Sequence, residues 1–240
     1  MNFSRSRDAK EAALACGGRI LDLLGSAIAA RGVARIAISG GSSPRPMFEK
    51  FARAQFDWDR VQLFWVDERG VPPGDPQSNY KLAKETWLDA AKFPAPNIHR
   101  IRAELEPHQA ARVYTDEIHA VFDLTPGDMP RFDVIHLGMG PDAHTASLFP
   151  GEPLIENRRS IASATYVEKL KQWRITLLPA VLLAARNVVM LITGADKAEA
   201  LKDVLEGPYD PKTFPAEVVV RNAEALDIFA DQAAAAKVDL

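Results

Sequence analysis

The chain reads as an α/β protein, a three-layer domain over residues 1–240 in which a mainly parallel sheet is flanked by helices. Three observations predict this. Short apolar, β-branched runs alternate with stretches of helical periodicity, the pattern of strands joined by helical crossovers. The hydrophobic share is 47%, enough for a sizeable core in 240 residues. Loops rich in Gly, Ser, Pro and charge directly follow several apolar runs, where open parallel sheets carry their ligand sites.

Each element follows from local pattern. A helix over 8–30 is predicted because Leu14, Ile20, Leu21, Leu24, Ala27 and Ile28 keep helical spacing, although Gly17 and Gly18 weaken its middle. Cys16 lies on the apolar face of that helix and reads as core rather than as a nucleophile. A lone cysteine excludes an internal disulfide. A strand over 34–39 is followed by a helix over 44–54 that opens on Pro44. The run 61–66 is a strand, and 78–91 is a helix capped by Ser78. Prolines at 72, 73 and 76 and at 94 and 96 mark loops rather than domain boundaries. A helix over 107–122 leads to a strand over 132–139 whose length and β-branching mark it as buried. Beyond it, 174–177, 188–193 and 217–220 read as strands and 179–185 and 196–205 as helices. The run Ala233 to Ala236 reads as a terminal helix. No internal repeat is seen.

Charge narrows the function classes. The formal charge is −3 and the sequence pI is near 6.0, which gives no general attraction to nucleic acid or to an anionic membrane. Any phosphate on a ligand therefore has to meet local cations. No signal-peptide core opens the chain and no apolar run is read as approaching membrane-spanning length, so a cytoplasmic protein is expected.

Four strand-end loops carry chemistry. Ser39-Gly40-Gly41-Ser42-Ser43-Pro44 joins a strand to a helix start. Two glycines let backbone approach a ligand, hydroxyls donate, and the helix start favours an anion, so Gly40, Gly41, Ser42 and Ser43 make a phosphate cradle. By itself the same motif is equally a plain turn with a serine cap. The second loop runs from Asp67-Glu68-Arg69 to Ser78-Asn79-Tyr80. Here Arg69 offers fork-like donors to a developing negative charge or to hydroxyls, and Asp67 binds sugar hydroxyls or supports Arg69. Ser78 and Asn79 read as helix caps.

The third loop, Gly138-Met139-Gly140-Pro141-Asp142-Ala143-His144-Thr145-Ala146-Ser147-Leu148-Phe149-Pro150-Gly151, sets a carboxylate and an imidazole two residues apart, with Gly138 and Gly140 allowing a sharp turn. His144 is the candidate general base, since imidazole titrates near pH ~6.5 and is available neutral at physiological pH. Asp142 is placed to orient the ring or stabilise imidazolium. His136, His99, His108 and His119 keep structural readings. Asp142 and His144 would supply two metal ligands, but no third His or Cys stands at a compelling spacing, so no metal and no cofactor are expected.

This loop closely resembles the G-M-G-x-D-G-H-T-A-S-L-F-P-G signature of the 6-phosphogluconolactonases, with Ala143 in place of the usual Gly. Where that glycine is left-handed, alanine costs on the order of 1 kcal/mol and tilts the loop carrying His144. Other segments resemble the same family. The first loop is similar to its S-G-G-S-T-P element, shared with glucosamine-6-phosphate deaminases, and the second to D-E-R-x-V-P-x-x-x-x-x-S-N-Y. Arg174 falls in the family's R-x-T and Lys197 in its G-x-x-K, and Leu178 departs from the usual Thr-Leu step.

The resemblance implies a Rossmann-like (NagB/RpiA-like) fold and a small phosphosugar lactone as substrate. It also implies that Arg174 and Lys197 grip the substrate phosphate, an assignment that suits a guanidinium paired with an ammonium. The implied reaction is hydrolysis of 6-phospho-D-glucono-1,5-lactone in the oxidative pentose phosphate pathway, by a carboxylic ester hydrolase acting as a monomer or weak homo-oligomer with no nucleic-acid or membrane partner. Attack by water needs no serine elbow, and no G-x-S-x-G is present. Two alternatives are weighed. A deaminase or isomerase of the glucosamine-6-phosphate type resembles G-H-I-G/A-F-N-E-P after its histidine, whereas Thr145 to Pro150 offers no carboxylate. A sugar-phosphate sensor of the transcriptional-repressor kind would need a DNA-binding segment and a basic face.

Overall fold

A computed structural model describes residues 1–125 and 127–239. The chain runs β1 (Asn2–Ser6), α1 (Ala9–Arg31), β2 (Ala34–Ile38), α2 (Arg45–Arg53), β3 (Val61–Trp65), β4 (Asp67–Arg69) and α3 (Asn79–Ala83). It continues through β5 (Ile98–His99), α4 (Pro107–Phe122), β6 (Val134–Leu137), β7 (Ala162–Val167) and β8 (Gln172–Leu177). The last elements are α5 (Pro179–Ala184), β9 (Val188–Ile192), α6 (Ala198–Glu206), α7 (Glu217–Val220) and β10 (Leu226–Asp231).

Seven strands make an all-parallel sheet in the order β1-β10-β9-β6-β2-β3-β5. Connections from β2 proceed one way, to β3 and β5, while those from β6 proceed the other way, to β9 and β10. The order therefore reverses between β2 and β6, and a ligand crevice is expected where their carboxyl ends part. The central strands read as near-continuous apolar runs because helices cover the sheet. β6 and β9 are buried at every residue.

Helix α1 is set by its ends. The Asp8 side chain accepts from the Glu11 amide at 2.8 Å, and Gly32 closes the helix at φ 78°. Its buried stripe, including Ala12, Cys16, Ile20 and Leu24, lies against the sheet and α2. By length and composition α1 would also span a membrane, contrary to the expectation of no such run, but here it is a helix packed on a sheet. Beside α2, Phe48, Phe51, Trp58, Trp87 and Phe93 interlock, with the Trp58 and Trp87 rings 5.0 Å apart. Such pairs add about 0.5–1.5 kcal/mol each beyond area burial.

A second, antiparallel sheet, β4-β8-β7, was not expected and decides the site. The strand at 174–177 belongs to it, not to the parallel sheet. After β3 the chain continues through Val66, whose carbonyl accepts from the Leu177 amide at 2.7 Å, so this sheet grows from the end of β3. Other local readings also change. The β-branched run 217–220 is the helical turn α7, with the Val220 amide bonded to the Ala216 carbonyl at 3.0 Å and the Arg221 amide to the Glu217 carbonyl at 3.0 Å. The helix expected over 78–91 is α3 followed by a π-turn at Lys84–Leu88, and 233–236 is turn rather than helix. Strand β1 has no apolar pattern to mark it in the sequence, because it is an edge strand of mostly exposed, polar side chains.

Candidate active site

At the β2/β6 reversal a cleft of about 230 Å³ opens, and the four strand-end loops meet there. Gly40, Gly41, Ser42 and Ser43 line it directly before α2, with Gly41 at φ 95°. Ser43 Oγ accepts from Thr193 Oγ1 at 2.9 Å, which ties the end of β9 to this loop. Gly40 is required by space: a Cβ there would stand 2.0 Å from Asn79 Oδ1. Asn79 begins α3 but also lines the cleft, and its Oδ1 is buried without a partner among the described residues. Ser78 does cap α3, accepting from the Lys81 amide at 3.2 Å.

Asp67 and Arg69 stand on β4, and the antiparallel register sets Arg69 opposite Arg174 on β8. All three line the cleft. Asp67 Oδ2 is 4.0 Å from Arg174 Nη1 and accepts from Ser147 Oγ at 2.7 Å. Arg69 is anchored by Nη1 donating to the Gln77 carbonyl at 2.5 Å. Burial works against the Arg174 charge and lowers its pKa, Asp67 counters, and Arg69 adds repulsion. Glu68, between Asp67 and Arg69, is almost wholly buried. It accepts from the Arg69, Asn79 and Tyr80 amides and from Ser78 Oγ, at 2.8–3.0 Å. Burial outweighs these bonds and raises its pKa. Glu68 thereby staples the loop from β4 to α3, a role the sequence reading does not assign.

His144 faces the cleft with Asp142 behind it. Asp142 Oδ1 lies 2.5 Å from His144 Nδ1, and since an ionised carboxylate only accepts, Nδ1 carries the proton and Nε2 is left as the basic nitrogen. The ring stacks on Phe149 at 4.4 Å, and Asp142 Oδ2 accepts from Lys169 Nζ. Partial burial pushes the Asp142 pKa up, but the bonds from His144 and Lys169 overcome it and hold the carboxyl well below the usual range. The loop geometry differs from the glycine-hinge expectation. Left-handed φ falls on Ala143 (58°) and Ala146 (52°), not on Gly138 or Gly140. Ala143 therefore carries a strain of about 1 kcal/mol. Gly140 instead permits close approach, since a Cβ there would lie 2.0 Å from His144 Nδ1.

Lys197, on the turn before α6, lines the opposite part of the sheet edge from β4, with Nζ 2.7 Å from Asp196 Oδ2. Every candidate residue thus lines one cleft except Asp142, which stands behind His144. His136 is a residue the sequence reading leaves structural. It lines the cleft, and neither ring nitrogen has a partner among the described residues. Burial depresses its pKa to about 4. The partners of Ser147, Thr193 and Lys169 also carry no local signal, since each lies distant in sequence.

Comparison with known proteins bears on this arrangement. Residues 7–228 match the family described as glucosamine-6-phosphate isomerases/6-phosphogluconolactonase. A 6-phosphogluconolactonase of Synechocystis sp. is 37% identical over 224 residues, covering 93% of this chain and 91% of that protein. The solved structure of 6-phosphogluconolactonase from Trypanosoma brucei superposes with a TM-score of 0.88 at 24% identity, over 98% of this chain and 97% of that one, a likeness of fold. A monomeric glucosamine-6-phosphate deaminase superposes with a TM-score of 0.84 at 17% identity, over 99% of this chain and 100% of that one. Fold alone therefore does not separate the two chemistries.

Proposed function

We propose that this chain, which belongs to the glucosamine-6-phosphate isomerase/6-phosphogluconolactonase family, hydrolyses 6-phospho-D-glucono-1,5-lactone to 6-phosphogluconate. It is a hydrolase of the pentose phosphate pathway. The observation that carries the mechanism is the Asp142–His144 pair, with Nε2 of a Nδ1-protonated ring left free at a cleft rich in cations. His144 Nε2 takes a proton from water as the water oxygen bonds to the lactone carbonyl carbon. The same proton then passes to the ring oxygen as the carbon–oxygen bond breaks. Asp142 offsets the positive charge on the imidazolium between these steps. Arg69 holds the oxyanion of the tetrahedral intermediate.

The phosphate lies at Gly40, Gly41, Ser42 and Ser43, at the start of α2, with Arg174 and Lys197 as countercharges. Asp67 keeps Arg174 and the His144 loop in place through its contacts to Arg174 and Ser147. The deaminase alternative is disfavoured by the residues after His144. Phe149 stacks on the imidazole and Ser147 bonds Asp67, and no residue from Thr145 to Pro150 is a carboxylic acid. In this reading residues 1–240 form one domain, cytoplasmic and monomeric or weakly self-associating, acting on a small molecule without nucleic acid or membrane.

The test is the decay of freshly generated lactone with wild-type protein, with His144→Ala and with buffer alone, at a pH where spontaneous hydrolysis is slow. Fast wild-type decay with the variant at the buffer rate is expected. Wild-type decay at the buffer rate would overturn the activity, and a fully active variant would remove His144 from the reaction.

A further inference from the structure

Lys169 stands at the tip of the β7–β8 hairpin, in the single turn Glu168–Leu170, and reaches the Asp142–His144 pair in two ways. Its Nζ donates to Asp142 Oδ2, and the same ammonium lies 4.7 Å from the centroid of Phe149, whose ring also stacks on His144. The four side chains close a ring. Lys169 holds one carboxylate oxygen while His144 Nδ1 holds the other, and Phe149 is shared by cation and imidazole. Asp142 can therefore not rotate without losing one partner. The residue comes from a hairpin 27 positions along the chain, beyond any local motif.

We propose that Lys169 is a positioning residue of the hydrolytic reaction: the β7–β8 hairpin delivers its ammonium to Asp142 to fix the carboxylate and to balance its charge against His144. The inference rests on the lactonase reading above. Stability does not explain the contact. Lys169 is 51% exposed at its side chain and Asp142 30%, and ion pairs so open to water contribute about 0–1 kcal/mol. Its consequence is directional. With the ammonium present, the carboxylate is shared between two cationic or proton-donating partners. Without it, the full negative charge bears on the imidazole and favours imidazolium, the form that cannot accept a proton from water. Other charges near the pair stay in place when Lys169 alone is changed. These are Arg69 and Asp67 on β4, Arg174 on β8 and Lys197 before α6, which line the cleft, and Glu168 and Lys171 at the hairpin tip.

The experiment compares wild type, Lys169→Met and Lys169→Arg. Lys169→Met keeps chain length and apolar stem but removes charge. The expected result is kcat reduced about 10-fold with KM within about twofold, and a changed acid limb of the kcat/KM profile. Lys169→Arg restores both, and thermal unfolding of all three agrees closely. A long-range proton–nitrogen NMR spectrum of the imidazoles reads the same point without activity. The Nδ1-protonated form of His144 is expected to be single in wild type and mixed in Lys169→Met. Wild-type kcat, acid limb and ring spectrum in Lys169→Met would overturn the proposal. If wild type fails to hydrolyse lactone, the lactonase reading falls and the role in hydrolysis falls with it, whereas an active wild type matched by Lys169→Met overturns the proposal alone.

Discussion

Ser147 Oγ donates to Asp67 Oδ2 at 2.7 Å, joining two buried residues 80 positions apart. The bond ties the loop that carries His144 to the strand that carries Arg69, and so fixes the width of the cleft between base and guanidinium. Ser147→Ala leaves a buried carboxylate with Arg174 at 4.0 Å as its remaining charged partner. Losing a hydrogen bond to a buried charged group costs about 1.5–3 kcal/mol. Urea unfolding is expected to register a loss of that size, and kcat/KM is expected to fall with it. A variant as stable as wild type would mean that water replaces the hydroxyl without penalty.

Gly140→Ala tests geometry without removing a chemical group. The new methyl would stand 2.0 Å from His144 Nδ1 and 2.7 Å from Asp142 Oδ1, so the pair has to move. A displacement of about 1 Å in a catalytic group is worth about 100-fold in rate. Steady-state kinetics should show kcat reduced by about that factor or more while the protein still folds. Retention of more than half the activity would contradict the placement of the ring.

Lys197→Ala addresses the phosphate end. Its ammonium is held 2.7 Å from the exposed Asp196, leaving its other donors for a ligand. Charged hydrogen bonds contribute about 1.5–3 kcal/mol, which corresponds to about a 10- to 150-fold rise in KM with a smaller change in kcat. Inhibition by inorganic phosphate should weaken in parallel. An unchanged KM would remove Lys197 from phosphate binding.

His136 makes the fold sensitive to acid independently of the reaction. Its pKa falls from an ordinary 6.5 to about 4 because burial penalises the charged ring. With the folded value depressed, the unfolded chain takes up the proton first as pH falls. Stability is therefore full above about pH 6.5, is lost as pH drops towards about 4, and is level below that. Between about pH 7.5 and 5 the loss attributable to His136 is about 2 kcal/mol. His136→Leu is expected to lose about that much less over the same interval when urea unfolding is compared at the two pH values. Equal acid sensitivity in both proteins would show that the ring is solvated or paired in solution.

The sequence by itself determined the parts that depend on neighbours along the chain. The apolar runs of β2, β3, β6 and β9, the extent of α1, the proline openings of α4 and α5, and the loops leaving the strands all follow from burial pattern and backbone preference. So does the Asp142–His144 pair, because two residues of separation in a tight loop bring the side chains together. Where local preference and packing disagree, the sequence misleads. Val218, Val219 and Val220 are β-branched and suggest a strand, but 217–220 is a helical turn whose preceding amide, Ala216, bonds the Ala143 carbonyl at 2.9 Å.

Only the tertiary structure decided what surrounds the pair. The β4–β8 register sets Arg69 against Arg174, the β7–β8 hairpin brings Lys169 to Asp142, and Ser147 finds Asp67 across the cleft. Glu68 is drawn inside to hold four donors of the neighbouring loop. These contacts are fixed by strand register and by which buried polar groups need partners once the sheets have packed. Those constraints pair groups by their position in space, so even where the residues fall inside a motif the chain does not show which of them bond to one another.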